Sequence, residues 1–165
     1  MQSLSAQVTW HTDGGLQLIY RLAAQLDQLK IPERQSPGFA DGLWQQTCFE
    51  LFITTPDNAT YQEFNFSPSG QWAVYRFRDY RQRLEWNSQQ HYAIHIKQDN
   101  YQLELQVIIP AIDLPLILPG TTVHLGLTAV IEKSDGQLFY WALNHPKAVP
   151  DFHDRAGFIY TLNKE

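Results

Sequence analysis

One cysteine is all this chain offers. Cys48 has no intrachain partner, so structural disulfides and a zinc–thiolate cluster are excluded. Flanked by Thr47 and Phe49 in a strand-like run, it reads as a small buried hydrophobe. Methionine is equally scarce: Met1 is the only one, so a His/Met-ligated haem would have to use the chain terminus. No apolar run approaches membrane-spanning length, and the opening "MQSLSAQVTW" has neither a charged lead nor an apolar stretch. The sequence therefore predicts no signal peptide, no membrane association and a soluble, cytoplasmic protein. Basic residues are the minority, 12 Lys and Arg against 17 Asp and Glu, for a net charge of −5. That balance argues against a nucleic-acid partner, which needs a basic footprint. The one basic cluster, Arg76, Arg78, Arg81 and Arg83, is broken by Asp79 and Glu85 and reads as the cationic edges of a solvated hairpin. Gly-x-Ser-x-Gly elbows and glycine-rich phosphate loops are absent too, which removes the motifs of serine hydrolases and nucleotide enzymes.

What the chain does have is aromatic side chains and alternation. Aromatics make up 13% of it, with 5 Trp and 8 Tyr, enough for either a sandwich core or a stacking surface. Leu4, Ala6, Val8 and Trp10 repeat at period two, as do Leu16, Leu18, Tyr20, Leu22, Ala24 and Leu26. A helix fits part of the second run, but the alternation is longer, which favours a strand. "TCFELFITT", "TYQEFNF", "QWAVYRFR", "HYAIHIK", "YQLELQVII", "TVHLGLTAVIE", "QLFYWAL" and "AGFIYTL" read as further strands. Turn chemistry separates them at Pro56-Asp57-Asn58, Ser67-Pro68-Ser69-Gly70, Gln98-Asp99-Asn100 and Ser134-Asp135-Gly136. Roughly ten short strands without a long helix predict an all-β, antiparallel β-sandwich, jelly-roll-like, with residues 1–165 as a single domain. "AIDLPLILPG" carries Pro115 and Pro119 and is expected to be a crossover with a turn of helix at most. "KIPERQSPGFADG" is the longest stretch without a strand signal and is expected to be a loop.

The candidate site lies on one strand pair. In "TCFELFITT", Phe49, Leu51 and Ile53 oppose Cys48, Glu50 and Phe52; in "TYQEFNF", Phe64 and Phe66 oppose Tyr61, Glu63 and Asn65. If the two pair around Pro56-Asp57-Asn58, then Glu50, Glu63 and Asn65 share a face that is not the core, with Phe52 and Tyr61 among them. Carboxylates and amides among aromatic rings suit a polyhydroxylated ligand, although a partly covered outer face carries the same pattern. The same carboxylate pair could run acid–base chemistry on a sugar. In the tail, "NHPKAVPDFHDRAGF" contains His145, Asp151 and His153, which have the right chemistry for metal ligation. Their spacing is irregular, and the favoured reading is a structural latch: Asp151 accepts amide or Arg bonds, Phe152 is buried, and Pro146 and Pro150 stiffen the loop. No metal and no cofactor is expected.

Three blocks, "LWQQTCFELFI", "YQEFNFSPSGQWAVYRF" and "YWALNHP…PDFHDRAGF", framing Leu43 to Phe158, resemble the DOMON-like proteins related to family 9 carbohydrate-binding modules. The resemblance implies a jelly-roll sandwich whose concave sheet forms a ligand pocket, in a superfamily whose members bind sugars or haem. It puts Glu50 where those modules carry a carboxylate, Asn65 on the following strand, Trp141 on the "YWAL" strand and Trp44 at the pocket rim. No loop of closely spaced acidic residues is present, so calcium is not carried over. The expected function is a non-enzymatic binding module for a small sugar or polyol, using Trp44, Glu50, Glu63, Asn65 and Trp141. The alternative is a protein-interaction domain that docks a partner through an exposed aromatic surface such as "RFRDYRQRLEW".

Overall fold

The computed structural model describes residues 3–165 and is all-β, with two sheets packed face to face. The smaller sheet has the order β1 (Ser3–Trp10), β2 (Leu16–Ala23), β9 (Gln102–Ile109), β8 (Ile94–Gln98), antiparallel throughout. The larger sheet runs β11 (Leu138–Ala142), β10 (Thr122–Glu132), β4 (Cys48–Thr54), β5 (Tyr61–Phe66), β6 (Gln71–Asp79), β3 (Gly38–Phe39). Two short strands complete it: β7 (Gln82–Arg83) beside β6, and β12 (Tyr160–Asn163) beside β10. Four single turns of 3-10 helix are the only helical elements among the described residues, and one of them, Ala111–Asp113, lies in the proline-bearing crossover.

Each long strand follows its alternation. Leu16, Leu18, Tyr20 and Leu22 of β2 point inward and are fully buried, so the strand reading of that segment holds. They meet Phe49, Leu51 and Ile53 of β4, Phe64 and Phe66 of β5, and Leu125, Leu127 and Ala129 of β10 in one continuous core. Burying a Phe or Leu side chain contributes about 1.5–3 kcal/mol, so this interdigitated layer is what drives the two sheets together. A polar group crosses it. The Tyr20 hydroxyl donates to the Glu50 carbonyl at 2.6 Å and accepts from the Thr128 amide at 3.1 Å, tying the smaller sheet to the backbone that carries Glu50.

The sandwich departs from a purely antiparallel pattern in one place. Gly38 and Phe39, inside the stretch expected to be only loop, pair with Gln71 and Trp72 of β6 in parallel. A two-residue strand has no alternation to read; only the returning chain reveals it.

The far edge of β10 is shared by two strands. β11 pairs with Thr128–Glu132 and β12 with Thr122–Leu125. The segment between them, residues 143–159, therefore leaves from the middle of that edge and returns to it, folding across the outer face of the larger sheet. It anchors through Phe158, which is buried and stacks on Phe52 with ring centroids 5.5 Å apart. Gly126 lies directly beneath. A Cβ there would meet the Phe158 ring at 2.7 Å, so only glycine leaves room for the anchor.

Candidate functional site

Pairing between β4 and β5 sets Glu50 opposite Asn65 and Phe52 opposite Glu63. Carried across β6, the rows read Glu50–Asn65–Ala73 and Phe52–Glu63–Tyr75. Because these positions alternate with the core residues, all of them stand on the outer face. That face is not washed by solvent. Glu50 is 2% exposed and Glu63 5%, because residues 150–153, the β6–β7 hairpin and Trp44 wall them in.

They enclose a cavity of about 380 Å³. Glu50 and Glu63 form its polar floor, and Phe52, Phe77 and Val130 its apolar one. Trp44, Tyr75, Tyr140 and Phe152 supply aromatic walls, and Arg81, Arg83 and His153 complete the lining. Trp44 comes from a 3-10 turn (Leu43–Gln45) and is held edge-on to Tyr75 at 5.9 Å.

The carboxyls are unevenly satisfied. Glu50 accepts from the Thr128 hydroxyl at 3.1 Å through one oxygen, and its other oxygen is buried without a partner. Glu63 accepts from the Asn65 amide at 2.9 Å, leaving the Asn65 carbonyl oxygen buried and unpaired. Burial, with the neighbouring Glu63 charge, pushes the Glu50 carboxyl well above the usual carboxylate range. Glu63 is raised to about 7, again by burial, against the lowering pull of its Asn65 bond and of Arg81 and Arg83. At neutral pH the floor thus carries much less negative charge than its composition suggests.

His153 closes one side. Its Nδ1 lies 2.8 Å from the Tyr61 hydroxyl, which in turn accepts from the Arg81 amide at 3.0 Å. Its Nε2 faces the Glu63 carboxyl at 3.6 Å. That separation is too long for a hydrogen bond. Burial among Phe52, Phe77 and Tyr61, together with the Arg81 charge, lowers His153 to about 4, so it is neutral at pH 7.

The tail that carries His153 is pinned by Asp151. Its carboxylate accepts from the Tyr80 hydroxyl (2.6 Å), the Arg81 guanidinium (2.9 Å) and the His153 amide (3.3 Å). Burial pushes this carboxyl up, but the Tyr80 and Arg81 bonds outweigh it and hold the group at about 2. Phe152, expected to be buried, is only half-buried against the cavity; Phe158 is the residue sealed beneath the tail. Arg155 reaches the Thr54 hydroxyl at 3.1 Å. His145 lies against Phe152 instead of converging with Asp151 and His153, and no group of three or more His, Cys, Asp or Glu arranged to hold a metal occurs among the described residues.

Of the five residues proposed from sequence, the structure brings Trp44, Glu50 and Glu63 into the cavity lining. Asn65 stands behind them, fully buried, as the partner of Glu63. Trp141 lies on the opposite face of β11, opposite Ala129 and edge-on to Tyr20 in the core; its neighbour Tyr140 is the one that lines the cavity. Sequence reasoning missed Tyr75, Phe77, Arg81, Arg83, Tyr140 and His153. The arginines were assigned to a solvated hairpin, and that hairpin is exposed. However, Arg81 sits at φ 53°, a left-handed turn, and both guanidiniums border the cavity.

No protein-family model and no curated protein matches the chain. Among solved structures, a Bacteroides uniformis ATCC 8492 protein described as a "putative carbohydrate-binding protein" superposes with a TM-score of 0.68. The match covers 98% of this chain and 78% of that one at 18% identity. That likeness establishes a shared sandwich fold.

Proposed function

We propose that this chain is a non-enzymatic binding module for a sugar or related polyol, seated in the cavity on the outer face of the larger sheet. The observation that carries the reading is the Glu50 carboxyl: 2% exposed, lining the cavity, with one oxygen lacking any partner. A buried polar atom left unpaired costs about 1–3 kcal/mol, and a ligand hydroxyl at the floor would remove that cost. The aromatic walls, Trp44, Tyr140 and Phe152 among them, suit packing against the C–H faces of a pyranose. Asn65 acts behind the site by orienting Glu63. Trp141 supports it only through packing. The fold shared with the Bacteroides protein and the DOMON-like sequence blocks both lean the same way.

A second reading, acid–base hydrolysis of a glycoside, has one observation in its favour: two carboxyls and an imidazole converge on one cavity. Against it, Glu50 and Glu63 project from adjacent strands of one sheet and approach any occupant from the same side. Glycoside hydrolysis places its two carboxyls on either side of the scissile bond.

Calorimetry against a panel of mono- and disaccharides tests the proposal. Binding should be saturable, and Glu50→Gln and Trp44→Ala should each weaken it about tenfold or more without unfolding the chain, which melting curves check. A panel blank at millimolar concentrations sinks the sugar reading. Sugar released from an aryl glycoside by the wild type, and not by Glu50→Gln, replaces it with the hydrolytic one.

A further inference from the structure

Resting on the sugar-binding reading, we infer that the ligand is an acidic sugar, a hexuronic acid, whose carboxylate is taken by Arg83 while its hydroxyls meet Glu50 and Glu63. The charge arrangement around the cavity points there. Two guanidiniums line it, and they are not equivalent. Arg81 is committed: it is bound to Asp151 at 2.9 Å and to the Tyr80 hydroxyl at 3.2 Å. Arg83 has no side-chain hydrogen bond and no ion pair among the described residues. It is held instead over the ring of Tyr75, 4.0 Å from its centroid, a cation–π contact that fixes the position of the guanidinium and leaves its donors free.

A planar guanidinium with free donors at the mouth of a cavity is a carboxylate receptor, because its parallel N–H groups match the two oxygens. A neutral sugar leaves that fork unused. The two floor carboxyls do not cancel it. Both are buried, with Glu50 held toward its protonated form and Glu63 raised to about 7, so they offset the Arg83 charge only in part. Glu63 also feels both guanidiniums, which places Arg83 within electrostatic reach of the floor. A ligand carrying one carboxylate and several hydroxyls would match these groups together: the anion at Arg83, the hydroxyls at the floor, the sugar ring against the aromatic walls. Among the described residues the cavity lining has no Lys or Arg besides Arg81 and Arg83, which makes Arg83 the discriminating residue.

The test is calorimetry with glucuronate and galacturonate against glucose and galactose, on the wild type, Arg83→Gln and Arg83→Lys. Arg83 is exposed, so these variants should fold, and their melting temperatures check that. The wild type should prefer at least one acid over its neutral counterpart by about tenfold, as expected for a charge-assisted pair near the surface. The preference should shrink when salt rises from about 0.02 M to about 0.5 M, through screening. Arg83→Gln should erase the preference, so that each acid binds no better than its neutral counterpart, and Arg83→Lys should keep part of it. Neutral sugars bound as tightly as acids, or a preference that survives Arg83→Gln, would overturn this inference and leave the sugar reading standing. No binding by either kind would remove both.

Discussion

The two outer faces of this sandwich are built from the same kind of strand and have opposite characters. On the smaller sheet, Ser5, Arg21, Glu104 and Lys97 lie in one row and Gln7, Ile19, Gln106 and His95 in the next. Arg21 and Glu104 form an open ion pair at 2.7 Å, both partly in solvent. On the larger sheet, the corresponding rows hold Glu50, Asn65, Phe52, Glu63 and Tyr75, all buried. A sandwich needs only its inner faces to be apolar, so nothing in the fold demands that the second outer face be covered. Covering it leaves carboxyls desolvated and two oxygens, one of Glu50 and one of Asn65, unpaired, a cost that folding alone does not explain. The difference teaches where to look: the first outer face is an open surface, and the second is the candidate site.

The tail makes that difference, so breaking its anchor should have the largest effect. Phe158→Ala removes a buried ring stacked on Phe52, and urea unfolding should register a loss of about 3–5 kcal/mol. A loss below about 1 kcal/mol would mean that the tail does not seal the face.

Protonation gives the next test. Glu63 sits at about 7 in the folded chain against an ordinary 4.5, so the folded state keeps its proton longer than the unfolded one. Its contribution to stability is full below about 4.5 and is lost as pH rises through about 7; Glu50 is displaced in the same direction. His153, lowered to about 4 from 6.5, works oppositely: its contribution is full above 6.5 and is lost as pH falls through 4. Glu63→Gln leaves the histidine in place. From pH 5 to pH 8 the variant should therefore gain on the wild type by about 1–3 kcal/mol. A gap that does not change with pH would contradict the buried-carboxyl account.

Asp151→Ala loosens the tail without touching the floor. Losing its bonds to Tyr80 and Arg81 should cost about 1–3 kcal/mol in chemical denaturation. An unchanged midpoint would show that the latch holds without it. On the other outer face, Glu104→Ala should cost no more than about 1 kcal/mol, because its pair with Arg21 is solvated. A larger loss there would blur the contrast between the two faces.

Much of this arrangement was legible before any coordinates. Alternation alone separates Phe49, Leu51 and Ile53 from Glu50 and Phe52, and the Pro56-Asp57-Asn58 turn fixes the β4–β5 register that brings Glu50, Glu63 and Asn65 to one face. Where alternation is silent, reading stops. Phe139, Tyr140 and Trp141 are three aromatics in a row, so period two cannot tell which of them meets the core. Pairing with β10 decides it, turning Trp141 inward and Tyr140 to the cavity. His153 and Arg83 reach the cavity through a folded-back tail and a tight turn at Arg81, contacts between segments about 70 residues apart that no local pattern encodes.

The central claim is that the covered outer face is the binding face, and the most direct test is to see which amides move. In a two-dimensional ¹⁵N–¹H NMR titration with the sugar panel, acidic members included, shifts should concentrate at Trp44, Glu50, Glu63, Arg83 and residues 150–153. The amides of Arg21, Lys97 and Glu104 should stay still. Shifts centred on the smaller sheet, or none anywhere at millimolar sugar, would contradict the account.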